Sequence, residues 1–251
     1  MAVRGFIHGA RMGGRMATGR AARAYDAGYV AIYRTGVRFS DTAEATTAFV
    51  RFVDRTRPRG RALELGCGEG RDAIFLAKRG LDVVAIDASA AALSRARERA
   101  RQEGVRVRFS LGNMTGRQPF GDASFDLVTC IDAFHYAIEA RDRIRHFREA
   151  YRVLKPGGLY FFCNHTARWP RTSPGEGTET IIVEAPAGAR EIRIPRVPYA
   201  VLTKAGYARA VRGAGFVIRM ARHTRTFPIR DEVALIVGEK PPRRRQGQTP
   251  A

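Results

Sequence analysis

Short apolar runs alternate with amphipathic stretches along most of the chain. Runs of strand length, continuous or alternating with polar residues, occupy residues 62–65, 83–86, 105–110, 127–131, 159–161 and 231–239. Apolar residues at helical spacing mark residues 71–79, 90–103 and 139–154. Strands that alternate with helices of this length are typical of βαβ units, so the pattern predicts an α/β fold.

Two segments lie outside this alternation. Tyr25, Tyr29 and Tyr33 are spaced four residues apart, so they line one face of a predicted helix before the first strand. Such a stripe either packs on the core or reaches a ligand, and the spacing alone leaves both interpretations open. Residues 165–199 contain two strand-like runs and predict an inserted hairpin.

The first strand leads into a glycine loop, which reads LELGCGEGRD over residues 63–72. Glycine at positions 66, 68 and 70 permits positive φ and lets a ligand approach the main chain. The helix that follows presents unpaired N–H groups. The next strand ends in Asp87, 21 residues after Gly66, and a carboxylate there suits the two hydroxyls of a ribose. The unit therefore predicts a nucleoside site.

The glycine spacing separates two classes of nucleoside. A dinucleotide fingerprint needs a glycine three residues after the second one, and Arg71 stands there. The pattern Glu-x-Gly-x-Gly-x-Gly that begins at Glu64 instead resembles motif I of the class I S-adenosylmethionine (SAM)-dependent methyltransferases. Two later stretches resemble the same family, PFGDASFD at residues 119–126 and RVLKPGG at residues 152–158.

The resemblance covers about residues 40–239 and is closest to the small-molecule branch, either the tellurite-resistance and thiopurine-like enzymes or the methyltransferases of types 11 and 25. It implies a Rossmann-like α/β fold with a seven-stranded, mainly parallel sheet, helices on both faces and an antiparallel last strand. SAM is the implied cofactor and S-adenosyl-L-homocysteine the product. The implied activity is SN2 transfer of a methyl group to an O, N or S nucleophile of a small-molecule acceptor. The residues that would bind the cofactor are Tyr33, Glu64, Gly66, Cys67, Gly68, Gly70, Asp87, Ala88, Asn113, Met114 and Ile131.

Within this set, Asn113 and Met114 are the expected contacts of the adenine ring. They lie in a loop at the carboxyl end of a strand, which is where ligands bind in an open α/β sheet. His135, just beyond the strand at 127–131, is the candidate general base, because an imidazole can take a proton from the acceptor near neutral pH. It is equally suited to packing, and methyl transfer often needs proximity alone. The candidate substrate residues are Tyr25, His165 and Trp169.

The net charge of +20, from 44 basic and 24 acidic residues, is compatible with a different class of methyl acceptor. A polyanion such as rRNA or tRNA would explain it, and so would a genome that favours arginine. Nucleic-acid enzymes that methylate amino groups carry an Asn/Asp-Pro-Pro-aromatic motif where this chain has Asp132-Ala133-Phe134, which disfavours nucleic acid without excluding it. The sequence is also compatible with a SAM-binding protein that transfers no methyl group, and with an NAD-dependent oxidoreductase.

Composition suggests one folded domain over residues 25–239, with residues 165–199 as an insertion on the substrate side. Residues 1–24 and 240–251 are basic, free of acids and expected to be disordered. The leader also fits a transit peptide or a start codon assigned too early. No apolar run reaches membrane-spanning length, and the three cysteines lack metal-ligand spacing. We therefore expect a cytoplasmic protein with reduced thiols, no membrane contact and no metal site; its oligomeric state is not predicted.

Overall fold

The computed structural model describes residues 20–34, 44–168, 170–173, 177–185, 188–227, 229 and 232–242. The α-helices of this part are α1 (Arg20–Tyr33), α2 (Thr47–Thr56), α3 (Arg71–Lys78), α4 (Ala90–Gln102), α5 (Ala140–Val153) and α6 (Lys204–Gly213). The strands are β1 (Arg61–Leu65), β2 (Asp82–Asp87), β3 (Val107–Leu111), β4 (Phe125–Ile131), β5 (Leu154–His165), β6 (Arg171–Ser173), β7 (Thr178–Ala185), β8 (Gly188–Pro195), β9 (Tyr199–Val201), β10 (Val217–Arg225) and β11 (Glu232–Glu239).

Seven of these strands form one sheet in the order β10-β11-β5-β4-β1-β2-β3. β1 pairs in parallel with β2 and β4, and the parallel pairing continues to β3 on one side and β5 on the other. β11 runs antiparallel to both of its neighbours. The predicted seven-stranded, mainly parallel sheet with an antiparallel last strand is confirmed. The strand order reverses between β1 and β4, and in open α/β sheets ligands bind at the carboxyl ends of the strands beside such a reversal.

Helices cover both faces of this sheet, as predicted. On one face α2, α3 and α4 bury Phe49, Leu76 and Leu93, and on the other α5 and α6 bury Phe147 and Tyr207. Adjacent residues of the central strands point to opposite cores, because side chains alternate along a strand. Parallel strands enclosed in this way are apolar throughout, which is why they are visible in the sequence as continuous runs.

Ordered structure extends past both expected ends of the domain. α1 begins at Arg20, inside the expected leader. At the other end, the Lys240 ammonium donates to the carbonyl oxygens of Tyr151 (2.9 Å) and Leu154 (2.7 Å), so this residue of the expected tail belongs to the fold. Residues 1–19 and 243–251 lie outside the described part of the chain.

The inserted hairpin is confirmed, since β7 and β8 pair antiparallel from Thr178 to Pro195. His165, the first residue of the predicted insertion, instead ends β5. The hairpin packs on α1 through β8. These two elements, α1 and the β7–β8 hairpin, are called the cover below. None of the described helices has the length and apolarity that a membrane crossing needs.

Candidate functional site

The loops after β1 and β4 touch at the reversal of strand order. Gly66 has φ +80°, and a Cβ placed on it would lie 2.4 Å from the Cβ of Ala133 and 3.5 Å from the sulfur of Met114. Only glycine fits this close approach. The contact brings the glycine loop against the residues that follow β4.

Asp87 lies at the end of β2 and its carboxylate is turned toward the glycine loop. The N–H of Gly68 donates to Oδ2 at 2.8 Å and the N–H of Ser89 to Oδ1 at 2.9 Å. Burial is the main influence on the pKa of Asp87 and raises it to about 6, although hydrogen bonds from Ser89, Gly68 and Ala88 lower it. A carboxylate accepts about four hydrogen bonds, so Asp87 keeps acceptor capacity for a ligand hydroxyl.

The loop after β3 is held in place by a buried histidine. Asn113 Oδ1 accepts from the N–H and the hydroxyl of Thr115 at 2.9 Å, which bends the loop. His146 of α5 lies 2.9 Å from the Met114 carbonyl oxygen through Nδ1 and 2.8 Å from the Tyr160 hydroxyl through Nε2. Because carbonyl oxygens only accept, Nδ1 carries the hydrogen. Burial lowers the pKa of His146 to about 4, so it is neutral near pH 7.

The tyrosine stripe of α1 covers the glycine loop. Tyr33 donates to Glu69 Oε1 at 2.7 Å, and the Tyr29 hydroxyl lies 3.1 Å from the position of a Cβ on Gly68. Tyr25 contacts the ring of Tyr136, beyond β4, with 4.8 Å between centroids. The stripe therefore spans from the glycine loop to the residues after β4.

Asp26 attaches the same helix to α4. Its Oδ1 accepts from the Ser89 hydroxyl at 2.6 Å and from the Ala91 N–H at 3.1 Å. Ser89 is itself the N-cap of α4 and accepts from the Ala92 N–H. A carboxylate at a helix N-terminus is favourable, so this contact helps to fix the cover over the carboxyl ends of the strands.

Two histidines and an aspartate meet beyond β4 and β5. Nε2 of His165 lies 2.9 Å and Nδ1 of His135 lies 4.0 Å from Oδ1 of Asp132. That oxygen is buried and makes no aligned hydrogen bond with any described residue. The Asp132 backbone is in the left-handed region, with φ +52°, and its N–H donates to the Cys163 carbonyl oxygen at 2.7 Å. Asp132, His135 and His165 are called the carboxylate–histidine cluster below.

Asn164 fixes the tautomer of His135. Its Nδ2 donates to the Tyr207 hydroxyl at 3.0 Å and to the His165 carbonyl oxygen at 3.2 Å, so its Oδ1 faces His135. Oδ1 accepts from the His135 N–H and lies 3.2 Å from Nδ1. Nδ1 therefore carries the hydrogen, and the lone pair of a neutral His135 is on Nε2.

Comparisons with known proteins agree with this architecture. The family described as "Methyltransferase domain" (type 25) matches residues 62–158, which run from β1 through the turn that opens β5. Over these residues the chain is therefore similar to SAM-dependent methyltransferases. Methyltransferase GfsG of Streptomyces halstedii is 39% identical over 101 residues, which are 39% of this chain and 35% of that protein. Thiocyanate methyltransferase 1 of Brassica oleracea is 28% identical over 187 residues, 72% of this chain and 81% of that protein.

A solved structure extends the likeness in fold to nearly the whole chain. The 1,6-didemethyltoxoflavin-N1-methyltransferase of Burkholderia thailandensis, with bound 1,6-didemethyltoxoflavin and S-adenosylhomocysteine, has a TM-score of 0.63 and is 17% identical over 88% of each chain. At this identity the likeness shows the fold alone. The chain spans less than half the length of the first curated relatives that it matches.

SAM, the cofactor of these methyltransferases, fits the residues present. Glu64, which opens motif I, is 2% exposed, and its Oε2 has no hydrogen-bond partner among the described residues. Burial, and then the neighbouring Asp72, hold the pKa of Glu64 well above its usual range. SAM carries an ammonium and a sulfonium, and a buried carboxyl oxygen that has no donor among the described residues is the kind of group that a cationic ligand satisfies.

Two more of the predicted site residues are buried. Cys67 lies in the glycine loop and Ile131 at the end of β4, and burial raises the pKa of the Cys67 thiol. Trp169 lies outside the described residues. Sequence reasoning missed His146, Asn164 and Asp132. Only Asp132 had a signal, because it stands three residues before His135 at the end of a predicted strand.

Proposed function

We propose that this methyltransferase transfers the methyl group of SAM by SN2 displacement to an O, N or S nucleophile of a small-molecule acceptor. The contact between Gly66 and Ala133 carries this proposal, because Ala133 directly follows Asp132 and lies two residues before His135. A donor held by the glycine loop and an acceptor held by the carboxylate–histidine cluster would then be neighbours. When bound, SAM supplies an electrophilic methyl group on a positively charged sulfur.

The residues of the chain divide between the two reactants. Glu64 and Asp87 would bind the amino acid and ribose portions of SAM, and Asn113 and Met114 would border the adenine. Tyr25 and His165 would line the acceptor side. Holding both reactants in line accounts for much of the acceleration in such a reaction, and the cover would keep water from the site.

His135 is the residue that we propose acts on the acceptor. The Asn164 contact leaves its lone pair on Nε2, which is the form that a base requires. We expect His135→Ala to lower turnover about 10²- to 10⁴-fold, the usual contribution of general acid–base catalysis, at unchanged affinity for SAM. His223→Ala, on the half-exposed His223 of β10, is the matched control. Turnover equal to that of the wild type in both variants would leave His135 a packing residue.

The acceptor class is tested by offering methyl-labelled SAM in parallel to total RNA and to an extract of low-molecular-weight metabolites. Label in the small-molecule pool is the expected result. Label in RNA that declines with salt would instead favour a polyanion acceptor, bound through the basic surface. SAM binding without transfer to either pool would contradict the proposed activity and favour a protein that binds SAM for another purpose.

Affinity for SAM should depend on pH through Asp87. The ionised carboxylate is the better acceptor for ribose hydroxyls, so affinity is expected to level off well above the pKa of about 6 and to fall about tenfold per pH unit below it. The stability of the ligand-free fold changes with pH in the opposite direction. Because the pKa of Asp87 is raised above its ordinary value of 3.8, its ionisation destabilises the ligand-free fold as the pH rises from about 4 to about 6.

Calorimetric titration with SAM across this range checks the dependence, with Asp87→Asn as the comparison. A flat profile in the variant is expected, since the amide does not titrate. The same slope in the variant and the wild type would assign the pH dependence to another group.

A further inference from the structure

The carboxylate–histidine cluster has the composition of a metal centre. One ring nitrogen each of His135 and His165 and one oxygen of Asp132 lie within 4.8 Å of one another. We propose that these three residues bind a divalent transition metal ion of the Zn²⁺ type on the acceptor side of the site. Imidazole nitrogens and a carboxylate oxygen suit such ions, whereas Mg²⁺ and Ca²⁺ prefer oxygen ligands throughout.

The buried oxygen of Asp132 supports this assignment. Oδ1 is 2.9 Å from His165 Nε2 but makes no aligned hydrogen bond with the described residues. Ligand atoms around a tetrahedral Zn²⁺, each about 2.0–2.2 Å from the ion, are roughly 3.4 Å apart. The ligand atoms of the three residues lie within 4.8 Å of one another, so side-chain rotations would bring them to this spacing. A cation would also satisfy this oxygen, which accepts no aligned hydrogen bond within the described part of the chain.

The surroundings of His135 are those of a metal ligand. Ligating histidines almost always donate their other ring N–H to a fixed acceptor, which sets the tautomer and the ring orientation. Here Nδ1 faces Asn164 Oδ1 at 3.2 Å, and Asn164 is anchored by Tyr207. The lone pair on Nε2 is then available for the ion.

The inference rests on the proposed function and refines it. Three protein ligands leave a fourth position open, as in catalytic zinc sites. An acceptor hydroxyl or thiol bound there would lose its proton to water at a lowered pKa. The O–C or S–C bond then forms as the C–S bond of the donor breaks and its electron pair stays on the departing sulfur. In this refined mechanism His135 is a ligand of the ion. The ion, and not the His135 imidazole, then activates the nucleophile of the acceptor.

Cobalt binding tests the proposal without any assay of turnover. The full chain, purified without a histidine tag and freed of metal by a chelator, is titrated with Co²⁺ and then with Zn²⁺ in competition. We expect about one equivalent of Co²⁺ to give a visible absorption band that Zn²⁺ abolishes. His135→Ala, His165→Ala and Asp132→Asn should each lower the affinity at least about 100-fold, and Asn164→Ala about 10- to 100-fold. His223→Ala should leave it unchanged.

A thermal shift with S-adenosylhomocysteine shows that each variant is folded and keeps its cofactor site. Absence of a stoichiometric band in the wild type, or equal binding by the His135→Ala/His165→Ala double variant, would overturn the metal site. Methyl transfer that survives complete removal of metal would also overturn the catalytic role of the ion while leaving the proposed function intact. Metal binding without any transfer of label would contradict the proposed function and not the metal site.

Discussion

Replacement of Asp87 by alanine is expected to abolish the thermal stabilisation that SAM gives to the protein. The carboxylate is the proposed acceptor for the ribose hydroxyls, and hydrogen bonds to a charged group are each worth about 1.5–3 kcal/mol. Loss of two of them corresponds to a dissociation constant roughly 10²- to 10⁴-fold higher. The variant also leaves the Gly68 and Ser89 N–H groups without their observed partner, so the ligand-free melting temperature should fall as well.

The informative quantity is therefore the shift that SAM produces in each variant, measured by differential scanning fluorimetry over a range of SAM concentrations. Asp82→Ala removes an acidic residue at the other, exposed end of β2, where it pairs with Arg61 and Arg108, and should retain the full shift. If Asp87→Ala responded to SAM as Asp82→Ala does, the assignment of Asp87 to the ribose would be wrong.

Gly66→Ala should remove SAM binding and strongly destabilise the fold. An added Cβ would lie 2.4 Å from that of Ala133, a distance that forces the loops after β1 and β4 apart. The positive φ adds about 1–2 kcal/mol for any residue with a Cβ. Because the donor and acceptor sides meet at this contact, displacement of about 1 Å is enough to impair transfer by about 10²-fold.

Gly80→Ala separates these two causes. Gly80 follows α3 and has φ +84°, close to that of Gly66, but a Cβ there has nothing within 4 Å. It should show the backbone penalty alone, with SAM binding intact. Chemical denaturation and calorimetric titration with SAM of both variants measure the difference. Equal losses in the two variants would mean that the contact with Ala133 plays no part.

The sheet could be predicted from the sequence because its central strands are buried on both faces. Continuous apolar runs, a glycine loop and a carboxylate at a fixed distance are local signals, and each corresponds to one element of the structure. The hairpin could also be predicted from a local signal, because β7 and β8 are adjacent in sequence and pair with each other.

Features that depend on distant residues were not visible. His146 appears in the sequence as one polar residue on a helix, and only the fold brings it to the Met114 carbonyl. His165 comes 33 residues after Asp132, and their contact requires β4 and β5 to be neighbours. The structured positions of Arg20 and Lys240 were not visible because both residues belong to basic segments whose composition resembles that of disordered tails. Charge alone did not show that Lys240 has carbonyl partners.

The way in which α1 is attached bears on how fast the protein can work. Its buried residues Tyr29 and Ile32 belong to neither of the two cores, and polar contacts join it to Glu69 and Ser89. We therefore expect α1 to detach more readily than the helices that are part of the two cores. Release of S-adenosyl-L-homocysteine would then depend on the opening of α1, which does not require the whole domain to unfold. Substitutions on α1 can thus change the residence time of ligands with little effect on the lifetime of the folded domain.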